Sequence, residues 1–387
     1  MTVALAIGNL KMKNTIHHNE DLTVLRNGKS DLCVSLILPL AKLNPLREQN
    51  DLVFKKAKEH IQQQAEKVFP HLDLSHYLQK ITSLFEEINP LHPPEGLGIW
   101  VSEKTALLKE LPYTPTENIF LAKRFAIREI IQLALLERPY LVLSLTQNSA
   151  KLFKGMGQQL TIINVPDLTH EFNDQYEYSP PSRSSSYAGH AHVKSFERDE
   201  ELVHQERNKK HFKNIDAIVR KYNDLHSTII VIGESRITNA FCKTSTLPPS
   251  QLIRVDKDPS HLTASEIASL SWESTQENSI KEQQKKIEWL KESFGTGHVR
   301  MGVQACWRAA QEGNCRILLV EKQFYQPGFL TKDPYYLFLK PPTESHQVIA
   351  DAVDELMELV IEKKGEVLLM EPGMLSTENN IALITRY

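Results

Sequence analysis

The sequence predicts an α/β protein of three domains, and three observations carry that expectation. The chain has 387 residues, longer than a single core usually grows. At residue 140 the apolar pattern switches from a helical period to short strands with turn residues between them. From residue 228 strand-like and helix-like runs alternate, as in an αβα layered domain. The expected divisions are an α/β domain over 1–137, a middle domain over 138–226 with a long polar loop at 167–200, and an αβα domain over 227–387.

Each element has its own local signal. NEDLTVLR (19–26) reads as a short helix with Asn19 as N-cap, acids in the first turn and Gly28 beyond its end. CVSLILPL (33–40) is a near-continuous apolar strand. From 46 to 88 a helical period places Leu52, Ala57, Ile61, Ala65 and Val68 on one face, until Pro70 and NPLHPPEG (89–96) break it. LGIWVS (97–102) is a strand, and 119–136 an amphipathic helix closed by ERPY (137–140). YLVLSLTQNSAKLFKGMGQQLTIINVP (140–166) then reads as three short strands in an antiparallel meander. A charged helix over 207–224 carries Phe212, Ile215, Ile218, Val219 and Tyr222 on its apolar face.

The last third alternates. TIIVIG is followed by a helix at 235–242, LIRVDK, and a long amphipathic helix over 272–293. After GTG (295–297) come a helix at 299–312, the strand RILLVE, a Pro-rich insertion at 327–343, a helix at 346–363, and the strands EVLLM and IALITRY.

Composition narrows the function classes. Hydrophobic residues make up 41% and charged residues 24%, with a net charge of −3, so the whole molecule is not an electrostatic glue for nucleic acid. Residues 1–135 carry one excess positive charge, 136–226 are balanced, and 227–387 carry four excess negative charges. The C-terminal part is thus better suited to a protein partner than to phosphate. Cys33, Cys242, Cys306 and Cys315 are far apart with no CxxC pair, which fits a reducing compartment, and Cys33 reads as a buried free thiol. MTVALAIGNLKMK has no charged region ahead of its short apolar run and does not read as a signal peptide. No stretch approaches the ~18 apolar residues of a membrane span. A cytoplasmic location follows as the expectation.

RSSSYAGHAHVKS (183–195) cannot bury itself, and a polar segment of this length between patterned elements is a functional arm or a tether. Arg183, Tyr187, Gly189, His190, His192, Lys194 and Arg198 are its candidate RNA-contacting residues. Arg207, Lys209, Lys210 and Lys213 continue the basic character onto the following helix, with Glu197, Asp199, Glu200 and Glu201 interrupting. Two readings stand for these cations, a solvated helix face and a set of phosphate contacts. Tyr187 and Phe196 are placed to stack on bases or to fold back on the domain. His190 and His192, with His204 and His211, lack a fixed third ligand and read as solvated histidines, not a metal site.

The order of parts resembles the third group of bacterial archaeo-eukaryotic release-factor-like proteins, relatives of class-one peptide-chain release factors and Pelota. CVSLILPL, GLGIWVS with YLVLSLTQNSAKLFKG, FGTGHVRMGVQACWRAAQEGNCRILLVE and AVDELMELVIEKKGEVLLMEPGMLSTENNIALITRY carry the likeness. The resemblance implies a divergent N-terminal domain, an RNase-H-like middle domain and a ribosomal-protein-like C-terminal domain. It also implies a bacterial protein that docks as a monomer in the ribosomal A site on ribosomal RNA, with a translational GTPase as partner to its third domain. Elongation factor Tu is one candidate for that GTPase. In class-one release factors the matching middle-domain loop ends in Gly-Gly-Gln; the position here holds Tyr187-Ala188-Gly189-His190-Ala191-His192.

Without that tip, and with no other catalytic constellation, the chain does not read as an enzyme, nor as one needing a cofactor. GMGQ (155–158) lies between two strand-like runs and reads as a hairpin turn. NGKS (27–30), similar to the Asn-Ile-Lys-Ser decoding motif, reads as a chain reversal. Ser144 and Thr146 stand where an RNase-H-type nuclease needs an acid. FGTGHV (294–299) lacks the Lys-Ser/Thr of a phosphate loop, so Gly295 and Gly297 read as a helix-to-helix turn and Gly313 as a helix C-cap.

The leading expectation is a ribosome-associated factor without the hydrolytic tip, acting in rescue, splitting or hibernation. The alternatives are a peptidyl-tRNA or other RNA-directed hydrolase with His190 or His192 as base, and a stress-related interaction protein that never meets a ribosome.

Overall fold

A computed structural model describes residues 20–41, 47–69, 71–89, 92–147, 149–165, 168, 209–223 and 227–387. The fold is mixed α/β with four sheets among these residues. Two compact units are present, one of Met1–Leu135 with Gln283–Tyr387 and one of Leu136–Glu282.

In the first unit, β1 (Cys33–Pro39) is flanked by β2 (Gly96–Val101) and β4 (Asn118–Ala122), with β3 (Ala106–Leu111) outside β2, all antiparallel. The unbroken apolar run of β1 reflects burial on both faces. Val34, Leu36 and Leu38 pack against α2 (Arg47–Val68) and α3 (Ser75–Glu86), through Phe54, Ala57, Ile61, Tyr77 and Ile81. On α2 the buried face is Phe54, Ala57, Ile61 and Ala65; Leu52 and Val68, expected on it, are 51% and 62% exposed. Cys33 and Ile37 face the other way, into a core with Trp100, Phe125, Ile130 and α1 (Glu20–Asn27). The Trp100 ring lies over Gly98, where an added Cβ would meet it at 2.2 Å.

The same core takes in α8 (Val303–Gln311), α9 (Ala352–Glu362) and the inner face of a second sheet. That sheet runs β10 (Val299–Met301), β16 (Ile381–Ile384), β11 (Ile317–Glu321), β15 (Glu366–Met370), with only β11 and β15 parallel. Its other face packs on the end of α7 (Ala264–Ser293) through Ile287 and Leu290. These are the αβα layers. The proline-rich insertion folds as a small sheet, β13 (Leu337–Phe338), β12 (Gly328–Leu330), β14 (Gln347–Ile349).

In the second unit β5 (Tyr140–Leu145), β6 (Ala150–Met156) and β7 (Gln159–Ile163) form the expected meander, and β8 (Ile229–Gly233) and β9 (Leu252–Asp256) extend the sheet in parallel with β5. Leu141, Leu143 and Val231 face α5 (209–222) and α6 (Ser235–Thr244). Val142, Ile230 and Ile232 face the start of α7 at Ile267 and Trp272.

The structure departs from the expected organisation in several places. The expected boundary at 226/227 is crossed by the sheet, because Leu141 pairs with Ile229 and Ile229 with Leu252. Residues 119–136 divide into β4 and α4 (Arg128–Leu136), since Asn118–Ala122 are held in register with β1. The expected helix at 299–312 starts at Val303, after β10 and Gly302 at φ +75°. Gly297, at φ +76°, therefore turns α7 toward a strand, not a helix. The helix expected at 346–363 starts at Ala352, where the Asp351 side chain accepts from the Val353 N–H at 3.0 Å, and β14 precedes it. The helix expected from 272 begins at Ala264 with a capping box: Thr263 N–H donates to Glu266 Oε2 (2.8 Å) and Glu266 N–H to Thr263 Oγ1 (3.3 Å).

Candidate nucleic-acid interface

The candidate interface is the outer face of α5. Phe212, Ile215, Ile218 and Val219 recur at helical spacing and are buried against the second unit's sheet and Phe241. Tyr222, expected on this face, is 37% exposed. Asp216 is also buried, and its carboxylate accepts from Ser245 Oγ (2.5 Å), Thr246 Oγ1 (2.7 Å) and the Thr246 N–H (3.3 Å). Those bonds help fix the rotation of α5 about its axis, so the side opposite Ile215 and Val219 is set toward solvent.

That side carries Lys209, Lys210, Lys213, Arg220 and Lys221, all exposed, with Asn214 and Ala217 between them. At 100° per residue the five cations fall within an arc of about 120°, extended over about 18 Å of helix. The one acid of α5, Asp216, points inward and also pairs with Arg220 Nε at 3.3 Å. The exposed face therefore presents cations and no carboxylate, which suits a row of phosphates. Burial lowers the pKa of His211 on the same helix, so its ring stays neutral at pH 7 and adds no charge.

Lys209, Lys210 and Lys213 stand together on this face. Arg183, Tyr187, Gly189, His190, His192, Lys194, Arg198 and Arg207 lie outside the described residues. Arg220 and Lys221 complete the stripe; their positions eleven or twelve residues after Lys209 return them to the same arc, a spacing legible in the sequence. Among the described residues no group of three or more His, Cys, Asp or Glu is arranged to hold a metal ion.

The other motifs resolve as structure. Gly157 and Gln158 join β6 to β7 in a two-residue turn with Gly157 at φ +56° and Gln158 not at positive φ, a type II′ hairpin. Gly28 closes α1, its N–H donating to the Leu25 carbonyl at 3.1 Å. Cys33 accordingly sits buried below this turn, its thiol pushed up to about 11 by burial. No helix among the described residues is long and apolar enough to cross a membrane.

Residues 139–314 match the family model of bacterial archaeo-eukaryotic release factor family 3. No curated protein matches. Among solved structures, the archaeal translation termination factor aRF1 is 14% identical over 97% of this chain and 98% of its own, with a TM-score of 0.25. Ribosome-bound archaeal Pelota, from a model with ABCE1, is 16% identical over 76% and 77%, with a TM-score of 0.38. Dom34 of S. cerevisiae, a translation termination-like factor interacting with Hbs1, is 12% identical over 76% and 79%, with a TM-score of 0.40.

Proposed function

With the match of residues 139–314 to bacterial archaeo-eukaryotic release factor family 3 as the premise, we propose that the protein is a cytoplasmic, ribosome-associated translation factor that holds ribosomal RNA through the cationic face of α5. The observation that carries this reading is the arrangement of Lys209, Lys210, Lys213, Arg220 and Lys221 opposite a buried apolar face, with no exposed acid among them. Residues 183–198 extend the contact into the A site. The chain contains no Gly-Gly-Gln, so the contact serves rescue or hibernation by occupancy and not by hydrolysis of peptidyl-tRNA. The acidic residues after 227 receive a translational GTPase.

Sedimentation with ribosomes tests this. The wild-type protein should pellet with ribosomes at low salt and be released at high salt. Replacing Lys209, Lys210 and Lys213 by Glu should abolish pelleting while circular dichroism stays unchanged. Pelleting that is insensitive to both salt and charge reversal overturns the reading.

A further inference from the structure

The proline-rich insertion carries a surface that the proposed RNA contact does not use. Its base is pinned. The Ala352 N–H donates to the Gln326 carbonyl at 2.8 Å and the Gln326 N–H to Asp351 Oδ1 at 3.2 Å. The helix that follows, α9, is tied in turn to the start of α4, where Asp354 accepts from the Ile127 and Arg128 N–H groups at 3.0 Å each. From α8, Trp307 Nε1 and Gln304 Nε2 donate to the carbonyls of Pro334 (2.9 Å) and Leu337 (3.0 Å). Leu337 and Ile349 are buried in the core, and at Gly328 an added Cβ would meet Leu337 at 2.8 Å and Ala352 at 3.0 Å.

The opposite face of this small sheet is left to solvent. Register sets Phe329, on the central strand β12, directly across from Phe338 on β13 and Val348 on β14, and residues directly opposite share a face. A solvent-facing sheet surface ordinarily carries polar side chains, yet Val348 is 63% exposed and Tyr336 49%. Tyr336 and Phe338 line a groove of about 590 Å³ together with Pro341 and Pro342. The Tyr336 ring is braced edge-on by Tyr335, with centroids 4.8 Å apart, and the Tyr335 hydroxyl donates to Glu312 beyond the end of α8. The rings are therefore set in place before any ligand arrives, which lowers the cost of binding.

Charge, size and shape choose the occupant. Asp333, Lys340 and Glu344 also line the groove, two carboxylates against one ammonium, so a phosphate chain is repelled and a basic segment attracted. The exposed apolar surface is on the order of 400 Å², half of the ~800 Å² per partner that a stable protein interface buries, so two copies of this chain stacked on this face would not stay together. A groove of aromatic rings and prolines suits a polyproline II segment, whose backbone stays solvated and which is already ordered when free. We propose that this groove receives a basic, proline-containing peptide segment of a partner protein, its prolines packing on Tyr336 and Phe338 and a Lys or Arg side chain reaching Glu344. This contact is separate from the RNA contact of α5, and either can fail without the other.

Fluorescence anisotropy of a labelled synthetic peptide, PPRPPRPPR, titrated with the full-length protein reads this contact. The wild type should bind it saturably, and bind PPEPPEPPE and AARAARAAR about tenfold more weakly. Tyr336→Ala should weaken binding about tenfold, as loss of an aromatic anchor does, and Glu344→Lys about threefold, the scale of an exposed ion pair. Both side chains are exposed, so circular dichroism should not change. Should Tyr336→Ala fail to fold, Glu344→Lys decides by whether it narrows the preference for PPRPPRPPR over PPEPPEPPE. No saturation up to about 1 mM, or equal affinity for the three peptides, overturns the proposal. So does a Tyr336→Ala effect on oligouridylate binding, which would assign the face to RNA bases, or on self-association in sedimentation velocity, which would assign it to a second copy of the chain.

Discussion

Arg128 shows how much one side chain can be asked to hold. It is 2% exposed, yet it carries a full charge that must be matched locally because water is excluded. Asp351, two backbone carbonyls and the face of Tyr325 supply that match. Removing the cation strands Asp351 and leaves Asp354 with only the amide bonds. Arg128→Met should therefore destabilise the protein by about 3–5 kcal/mol, as breakage of a buried pair does, read from the denaturant midpoint at constant slope. Arg128→Lys should recover only part of the loss, since an ammonium cannot lie flat on Tyr325 while reaching both partners. A loss below about 1 kcal/mol, the range of surface pairs, would mean that the cluster does not hold α4 to α9.

At the scale of an element, α5 carries its buried apolar residues and its exposed cations on opposite faces, so stability and the proposed RNA contact can be altered separately. Ile215 is fully buried, so Ile215→Ala should cost about 2–5 kcal/mol and leave the salt dependence of RNA binding by the folded fraction unchanged. Lys213→Ala and Lys221→Ala should each leave stability within about 0.5 kcal/mol but reduce the salt slope by about one. Urea melts and filter binding across a salt series measure the two effects separately; a Lys221 variant with an unchanged slope would remove that residue from the contact. The apolar face of α5 was legible in the sequence because a solvent-facing helix must keep a 3.6-residue period. β4 and α4 were not, because Asn118–Ala122 owes its extended form to pairing with β1, 81 to 89 residues earlier in the chain, and no local pattern records a partner at that distance. The cations of α5 share a face by their spacing alone, but that this face points to solvent depended on the rotation that Asp216 fixes from the inner side.

Across the whole molecule, the α/β class and the αβα layering of the C-terminal part were legible, whereas the chain's division into units was not. Ile229–Gly233 looks locally like the first strand of a new domain, and only its parallel register with Leu141–Ser144 assigns it to the sheet before it. Likewise, Cys33, Ile37, Trp100 and Ile130 share one core with Trp307, Leu318, Val353 and Leu356, a partnership between the two ends of the sequence. This has a consequence for how the chain folds. Residues 136–282 are continuous and contain both faces of their own core, so this fragment should unfold cooperatively on its own. Residues 1–135 should not, because one face of β1 and β2 would lie open to water without 283–387, exposing Ile37 and Trp100 to solvent. Mixing fragments 1–135 and 283–387 should then restore a cooperative thermal transition that neither shows alone. Cooperative unfolding of 1–135 by itself would show that its helix-covered face, with Phe54, Ile61 and Ile81, is core enough.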